Sequence, residues 1–288
     1  MEKRHYGAID GLRMIAAFGM CCGYYDKILK GRVDFAEFYG KRFKKILPFF
    51  GALVFLDIIM SPSVASIYEG FADLTLLFGF LQKPISVIGV GWFLGLVFVF
   101  YLIFPFFCVL LENKRRAWIA FAVSLIYNFV CANYFEVGRS NILYSACFFL
   151  AGGLIYLYRE EIMKLNQWVA LGIAGGAVVL YYLIGGNVMM YLLVSATLLV
   201  YAIIMRGGIL ENRVTKFFSG VSMEIYLSHM VIFRVVEKLK LNRILGNGWS
   251  QYVVTNVLVI AGATVFAVVM QKIISKAMEI MNKRKLIA

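Results

Sequence analysis

The sequence predicts an all-α fold, a polytopic bundle of transmembrane helices, and two observations support this class. Hydrophobic residues make up 62% of the chain and charged residues 16%, whereas soluble proteins average about 45–50% and about 25%. Eight runs of the sequence also approach the length of about 20 apolar residues that a helix needs to cross a bilayer. We therefore expect about eight full spans, and a single membrane domain over residues 1–288.

The predicted spans are bounded by residues that suit the edges of a membrane. Trp92, Trp118, Trp168 and Tyr252 each lie near the start of a span, where aromatic side chains favour the interface between lipid and water. Pro105 lies inside a span, and membrane helices tolerate proline. In chain order, the spans are expected at 46–61, 91–111, 117–133, 142–158, 168–184, 188–205, 217–235 and 252–275.

Basic residues orient these spans. The segment 26–45 carries seven lysines and arginines, and such an excess marks the cytoplasmic side of a membrane. Because successive spans cross the membrane in alternate directions, the C-terminus is placed inside. The connection 236–251 is the exception to the charge rule: counting the spans places it outside, yet it carries Lys238, Lys240 and Arg243. The other connections are expected inside at 112–116, 159–164 and 206–216, and outside at 62–90, 134–141 and 185–187.

The apolar stretch 11–25 does not fit this alternation. It is only about fifteen residues long, shorter than the about 17–25 residues of a spanning helix, and it precedes the segment already placed inside. If it crosses the membrane, Lys3 and Arg4 lie outside. If it does not cross, it is a short interfacial or re-entrant piece. The residues leave both alternatives open.

Composition also excludes several functions. The net charge of +13 would suggest nucleic acid in a soluble protein, but the basic residues lie in connections and no nucleic-acid-binding fingerprint is present. The five cysteines include no CxxC pair, so buried thiols are expected rather than a zinc site. Two histidines, His5 and His229, exclude a histidine-rich metal centre. We expect no metal and no bound cofactor.

Polar residues near the ends of the predicted spans are the candidates for chemistry. Asp10 and Arg13 lie at the start of the first apolar stretch. Arg42 and Lys45 are three positions apart and therefore share a helix face, where they would bind one anion together. The alternative is that they only anchor the helix on the cytoplasmic side. Further candidates within one apolar run are Trp92 and Tyr101.

A second group of polar residues lies in the run SGVSMEIYLSHMVIF. Ser222, Tyr226 and His229 have i, i+4, i+7 spacing and so line one helix face. An ionisable residue inside a membrane is costly and indicates function, which favours a role for His229. Glu224 must be paired, protonated or close to water. The alternative for Ser222 and Tyr226 is a hydrogen bond between helices.

Four blocks in this order, IDGLRMIAA, KRFKKILP, GWFL…FYLIFP and SMEIYLSH, resemble the acyltransferase-3 family of integral membrane O-acyltransferases. The resemblance implies transfer of an acyl group, commonly acetyl, from cytoplasmic acyl-CoA to a hydroxyl of a cell-surface carbohydrate or glycolipid. It also implies a bacterial protein of the cytoplasmic (inner) membrane that modifies surface polysaccharide. Membrane lipid, acyl-CoA as co-substrate and the acceptor are the expected partners.

The resemblance also implies roles for particular residues. Arg13 matches the arginine that opens the family's first-helix motif, and would orient the donor as a catalytic residue. Arg42 and Lys45 match a paired-arginine motif that would bind the donor's phosphates. His229 matches the family's late histidine, with Tyr226 beside it, and would be the second catalytic residue. Supporting roles fall to Asp10, Trp92, Tyr101, Ser222, Glu224 and Tyr226.

The chain departs from the family's pattern in its first forty residues. The family carries a catalytic histidine beyond the opening arginine of its first helix, but here the eleventh position after Arg13 is Tyr24. The sequence runs instead into CCGYYDKILKG, which resembles the family's sequence just after its second helix. We expect that the end of the first helix and the start of the second are missing, and that the chain is impaired or inactive. The rival functions are a transporter or flippase for a glycan or lipid, and an inactive scaffold in surface-polysaccharide assembly.

Overall fold

A computed structural model describes residues 7–80, 91–135, 137–205, 212–246 and 248–287, with side chains from residue 11 to residue 280 of these ranges. All regular secondary structure in these ranges is helical, which confirms the all-α prediction. The helices are α1 (Gly7–Leu29), α2 (Phe35–Met60), α3 (Val64–Thr75), α4 (Gly91–Leu111), α5 (Lys114–Asn133), α6 (Ile142–Leu157), α7 (Arg159–Ile162), α8 (Gln167–Ile184), α9 (Val188–Ile204), α10 (Arg213–Lys238) and α11 (Trp249–Ile287), with 3₁₀ turns at Leu77–Phe80 and Leu241–Arg243.

Asparagine side chains set the starts of four helices. Asn113, Asn141, Asn166 and Asn187 precede α5, α6, α8 and α9, and each side-chain oxygen accepts a hydrogen bond from a backbone N–H of the first turn. These N–H groups have no partner inside the helix, so an asparagine cap stabilises the helix start. The four helices therefore begin close to the predicted spans.

Four of the eight predicted spans coincide with helices that are long and apolar enough to cross a membrane, and eight full spans are not confirmed. Every predicted span overlaps a helix, and these four are α4, α5, α8 and the Trp249–Ile280 part of α11. Helices α6 and α9 are apolar but have only 16 and 17 residues. Helices α2 and α10 have 26 residues each but include several charged side chains. Crossing by these last four helices stays a prediction.

The short apolar stretch predicted near the N-terminus lies within a longer helix. Helix α1 is continuous over 23 residues, about 34 Å at about 1.5 Å per residue, but it is not among the helices that are both long and apolar enough to cross a membrane. The polar residues that bound the apolar stretch lie inside the helix, so the apolar run underestimates its length. The helix ends where Gly31 adopts a φ of +61° and the N–H of Arg32 donates to the carbonyl of Lys27 at 2.8 Å, a common way to stop a helix.

Part of the predicted external connection 62–90 forms a helix, α3, which the sequence analysis did not predict. This helix has 12 residues and is capped by the Ser63 side chain. It is too short to cross a membrane, so a search for long apolar runs does not detect it. Several residues used to assign orientation, among them Lys3, Arg4, Lys83 and Arg206, lie outside the described residues.

The chain divides into two compact units. The first comprises Met1–Phe38 and Leu96–Asn212, and in it α1 packs against α6 and α9, α5 packs against α6, and α8 packs against α9. Helix α6 is buried along most of its length. A Cβ atom at Gly152 would meet the Met14 carbonyl oxygen, so the backbones of α1 and α6 are in direct contact, as small residues permit in membrane bundles.

The second unit comprises Tyr39–Gly95 and Arg213–Ala288, and its main packing is between α10 and α11. Helix α3 approaches α2 closely at Gly70, where a Cβ atom would lie 2.6 Å from the Ile58 side chain. The single membrane domain that the sequence predicts stays a prediction.

Candidate functional site

Arg13 is a fixed structural element of the first unit. Its side chain is fully buried, and its Nη2 donates to the Arg139 carbonyl at 2.7 Å. The Ser145 hydroxyl donates to the same carbonyl at 3.0 Å. The Arg13 guanidinium also lies 5.8 Å from the centre of the Phe148 ring, within the range of a cation–π interaction. Arg13 therefore ties α1 to the turn that precedes α6.

The other end of α1 contacts the other end of α6. The Tyr25 ring lies 5.2 Å from the Tyr156 ring, while Arg13 lies beside the turn at Arg139. The two helices therefore run in parallel, and α1 extends along the full length of α6. This geometry favours the crossing alternative for α1 over the re-entrant one. It also places Arg13 at the end of the unit that holds the connection 134–141, which is predicted to lie outside.

Arg42 and Lys45 lie one turn apart in the second unit, but their surroundings differ. Arg42 is half-buried, whereas Lys45 is exposed, as are the neighbouring Lys41 and Lys44. An anion bound by both groups would have to reach Arg42 from the exposed side where Lys45 lies. Joint binding of one anion by Arg42 and Lys45 stays a prediction.

His229 is held in a defined orientation by its own helix. Its Nδ1 lies 2.6 Å from the carbonyl oxygen of Tyr226. A carbonyl oxygen only accepts hydrogen bonds, so Nδ1 carries the proton and Nε2 of the neutral ring has a lone pair. The side chain is half-buried, and its ring centre lies 5.8 Å from that of Tyr226. A bond from Nδ1 to a carbonyl is a common way to fix the tautomer of a functional histidine.

The start of α4 packs against Tyr226, which lies one helical turn before His229. The Phe93 ring lies 5.4 Å from the Tyr226 ring in an edge-to-face arrangement, and the Trp92 ring lies 6.1 Å from that of Phe93. The structure thus brings together two of the sequence blocks, GWFL and SMEIYLSH, around Tyr226. Tyr101, further along α4, is half-buried and belongs to the first unit.

The remaining candidates of α10 have ordinary structural contacts. The Ser222 side chain is exposed, and its hydroxyl donates to the Ser219 carbonyl at 3.1 Å. Glu224 is 8% exposed, and its backbone carbonyl accepts a hydrogen bond of 2.7 Å from the Ser228 hydroxyl. Asp10 lies in α1, and its side chain is outside the described residues. The site roles assigned to all of these residues stay predictions.

An ion pair between Asp57 of α2 and Arg234 of α10 was missed by the sequence analysis. Nη1 of Arg234 donates to Oδ1 of Asp57 at 2.6 Å, and the Asp57 side chain is only 7% exposed against 46% for Arg234. Both residues fall within predicted spans, where an ionisable group indicates function or a specific partner. The sequence did contain a signal for this pair. The two residues have opposite charges, and each lies near the C-terminal end of a span that is predicted to run outward.

The described residues include no group of three or more His, Cys, Asp or Glu side chains that could hold a metal ion. What the second unit offers instead is one histidine with an available ring nitrogen, a half-buried arginine, and an aromatic wall formed by Phe93 and Tyr226. These groups suit the transfer of a proton and the binding of an anion.

A comparison with protein families supplies one match. A family model described as an acyltransferase domain, that of the acyltransferase-3 family, matches residues 14–270. The match begins one residue after Arg13, runs through both compact units, and includes Arg42, Lys45 and His229. No curated protein and no solved structure matches this chain.

Proposed function

The chain belongs to the acyltransferase-3 family, and on that premise we propose that it transfers an acyl group, acetyl first of all, from cytoplasmic acyl-CoA to a hydroxyl of a cell-surface carbohydrate or glycolipid. Its apolar helices and its family make it a multi-pass membrane protein. The proposed location is the cytoplasmic membrane of a bacterium, with surface-polysaccharide modification as the biological role.

The observation that supports acyl transfer is the hydrogen bond from Nδ1 of His229 to the Tyr226 carbonyl. It leaves Nε2 as the acceptor that a general base needs. In the proposed step, the acceptor oxygen attacks the thioester carbonyl carbon while its proton moves to Nε2. The carbon–sulfur bond then breaks, and the proton passes from Nε2 to the departing CoA sulfur. Catalysis by a general base contributes about 10²–10⁴-fold.

The donor's phosphates are assigned to Arg42 and Lys45, at the end of α2 predicted to be cytoplasmic. Arg42 offers a planar fork of N–H groups, whereas Lys45 offers a point charge, so this pair holds phosphate less rigidly than two arginines would. Arg13 is proposed as a positioning residue rather than a contact to the donor, because its guanidinium is buried and already donates to the Arg139 carbonyl.

We expect transfer to be slow in this chain. Helix α1 has no histidine between Arg13 and Leu29, and at the eleventh position Tyr24 packs edge-to-face on Phe38 with ring centres 5.2 Å apart. The helix is continuous there, as expected if the start of one helix has been joined to the end of another. His229 must then supply the base without the help of a second histidine.

The proposed orientation has the C-terminus in the cytoplasm. The Lys114–Glu161 ion pair of 3.4 Å joins two connections that are both expected inside. The Asp57–Arg234 pair joins the C-terminal ends of two helices that are both expected to run outward. We also propose that α1 crosses the membrane parallel to α6, with its Arg13 end outside.

The test is calorimetric binding of acetyl-CoA to the purified chain. Arg42→Ala/Lys45→Ala is expected to weaken binding at least about tenfold, since hydrogen bonds to charged groups contribute about 1.5–3 kcal/mol each. Lys30→Ala/Arg32→Ala removes two exposed charges from the same cytoplasmic segment and should leave the affinity unchanged. Unchanged affinity in the first variant would refute the donor site. Substrate flux through liposomes without acyl-CoA would indicate a transporter, and co-purification with glycan-synthesis proteins without any acyl-CoA binding would indicate a scaffold.

A further inference from the structure

A cleft of about 640 Å³ lies between the start of α10 and the later part of α11 in the second unit. Lys216 lines it from α10, and Lys272 and Lys276 line it from α11. Its apolar wall is formed by Phe217, Val221 and Val268. The Gln271 amide nitrogen donates to the Gly220 carbonyl at 3.3 Å, so a hydrogen bond joins the two helices beside the cleft.

The spacing of basic and aromatic residues along α10 and α11 matches the thickness of a bilayer. Lys272 follows Trp249 by 23 residues along α11, about 34 Å at about 1.5 Å per residue, and the hydrocarbon core of a bilayer is about 30 Å thick. Along α10, Lys216 and Lys238 are separated by 22 residues, which gives a similar distance of about 33 Å. With Trp249 at one interface, as aromatic side chains prefer, Lys216 and Lys272 lie at the other.

The charge of the cleft is positive. Three ammonium groups line it, against the single carboxylate of Glu279. Lys216, Lys272 and Lys276 are all exposed, and none of the three forms an ion pair with another residue of the described ranges. The cleft therefore presents three ammonium groups to the interface while its wall remains apolar.

We propose that this cleft binds the phosphate of an anionic phospholipid of the cytoplasmic leaflet, with the lipid's acyl chain against Phe217, Val221 and Val268. Basic pockets between membrane helices on the cytoplasmic side bind anionic headgroups. Ammonium groups serve as point charges for a phosphate, and the apolar wall suits an acyl chain rather than a nucleotide. The site is independent of acyl transfer, and only its assignment to the cytoplasmic leaflet rests on the proposed orientation.

The test measures binding of phosphatidylglycerol and phosphatidylcholine to the full chain in detergent, by native mass spectrometry and by thermal shift. Each lysine near a membrane surface contributes about fivefold to the binding of anionic lipid. Lys216→Ala/Lys272→Ala/Lys276→Ala should therefore weaken phosphatidylglycerol binding about a hundredfold and leave phosphatidylcholine binding unchanged. The three side chains are exposed, so the variant should remain folded.

The matched control is Lys238→Ala/Lys240→Ala/Arg243→Ala, which removes three cations near the opposite end of α10. It should retain the preference for phosphatidylglycerol. An equal loss in both triple variants would show a non-specific effect of charge and overturn the proposal, as would undiminished binding in the cleft variant. Loss of acetyl-CoA affinity in the cleft variant, with lipid binding intact, would make the cleft a donor site instead. Failure of acetyl-CoA binding in every variant would contradict only the proposed acyl transfer.

Discussion

The two compact units differ in how they use their charged residues. In the first, the buried guanidinium of Arg13 donates to a backbone carbonyl and lies near an aromatic ring. In the second, Asp57 and Arg234 pair with each other, and His229 keeps a ring nitrogen available. A buried ionisable group in a membrane bundle is costly and needs a partner. Arg13 has partners within the packing of α1 against α6, whereas the ring of His229 also offers a nitrogen that can accept a proton. We infer that the first unit is mainly a scaffold and that the second carries the chemistry.

The largest effect on stability is expected from Gly152→Ala in the first unit. The added Cβ would meet the Met14 carbonyl oxygen, and neither atom has a rotamer through which to escape. Overpacking of this kind costs about 1–3 kcal/mol, and we expect the upper end of that range in unfolding experiments in detergent.

The matched control for this change is Gly176→Ala in α8. No heavy atom lies within 4 Å of a Cβ atom built there, and alanine is favoured over glycine inside a helix by up to about 1 kcal/mol. This variant should be as stable as the parent or more so. Equal destabilisation by the two changes would contradict the close α1–α6 contact.

A smaller effect is expected from the ion pair of the second unit. Arg234→Gln leaves the Asp57 carboxylate buried without its partner. Removing one member of a fully buried pair costs about 3–5 kcal/mol, but Arg234 is 46% exposed. Solvent screening therefore reduces the expected loss to about 1–2 kcal/mol.

The double variant Asp57→Asn/Arg234→Gln separates pairing from general loss of charge. With both charges removed, at least half of the stability lost in Arg234→Gln should return, as a double-mutant cycle in the same detergent would report. If the two single losses simply add, the ion pair does not contribute to the stability of the second unit.

The smallest effect is expected from the exposed Lys114–Glu161 pair of the first unit. A hydrogen bond to its own backbone, and secondly Lys114, hold the pKa of the Glu161 carboxylate below its usual value. A carboxylate whose pKa is lowered in the folded protein stabilises the fold at pH values above its ordinary pKa. This contribution disappears as the pH falls through the lowered pKa. Because the pair is exposed, this contribution is small, and Glu161→Gln should melt almost with the parent at neutral pH. A gap of several degrees at neutral pH that closes on acidification would contradict this expectation.

Sequence reasoning predicted most helices because long apolar runs are local signals. It placed α4 at 91–111, the range that the structure has, and the start of α8 within one residue. It missed α1 as a full helix because Asp10, Asp26 and Lys27, which bound the apolar stretch, lie inside the helix. It missed α3 because a capped helix of 12 residues has no transmembrane signature.

The candidate site was predictable only where it lies within one helix. The closeness of Tyr226 and His229 follows from helical spacing. The Asp57–Arg234 pair joins residues 177 positions apart, and no local pattern reports such a contact. The packing of Phe93 on Tyr226 likewise depends on tertiary structure, although both residues lie in sequence blocks that were recognised.

The most direct test of the account is a single-turnover transfer of labelled acetyl from acetyl-CoA, with the protein in excess and surface polysaccharide as acceptor. The parent chain should transfer slowly but measurably, and His229→Ala should reduce the rate by about 10²–10⁴-fold, the contribution of a general base. Met230→Ala, the next residue on the same helix, should match the parent. Equal transfer by His229→Ala and the parent, or no transfer by the parent, would contradict the assignment of the chemistry to the second unit.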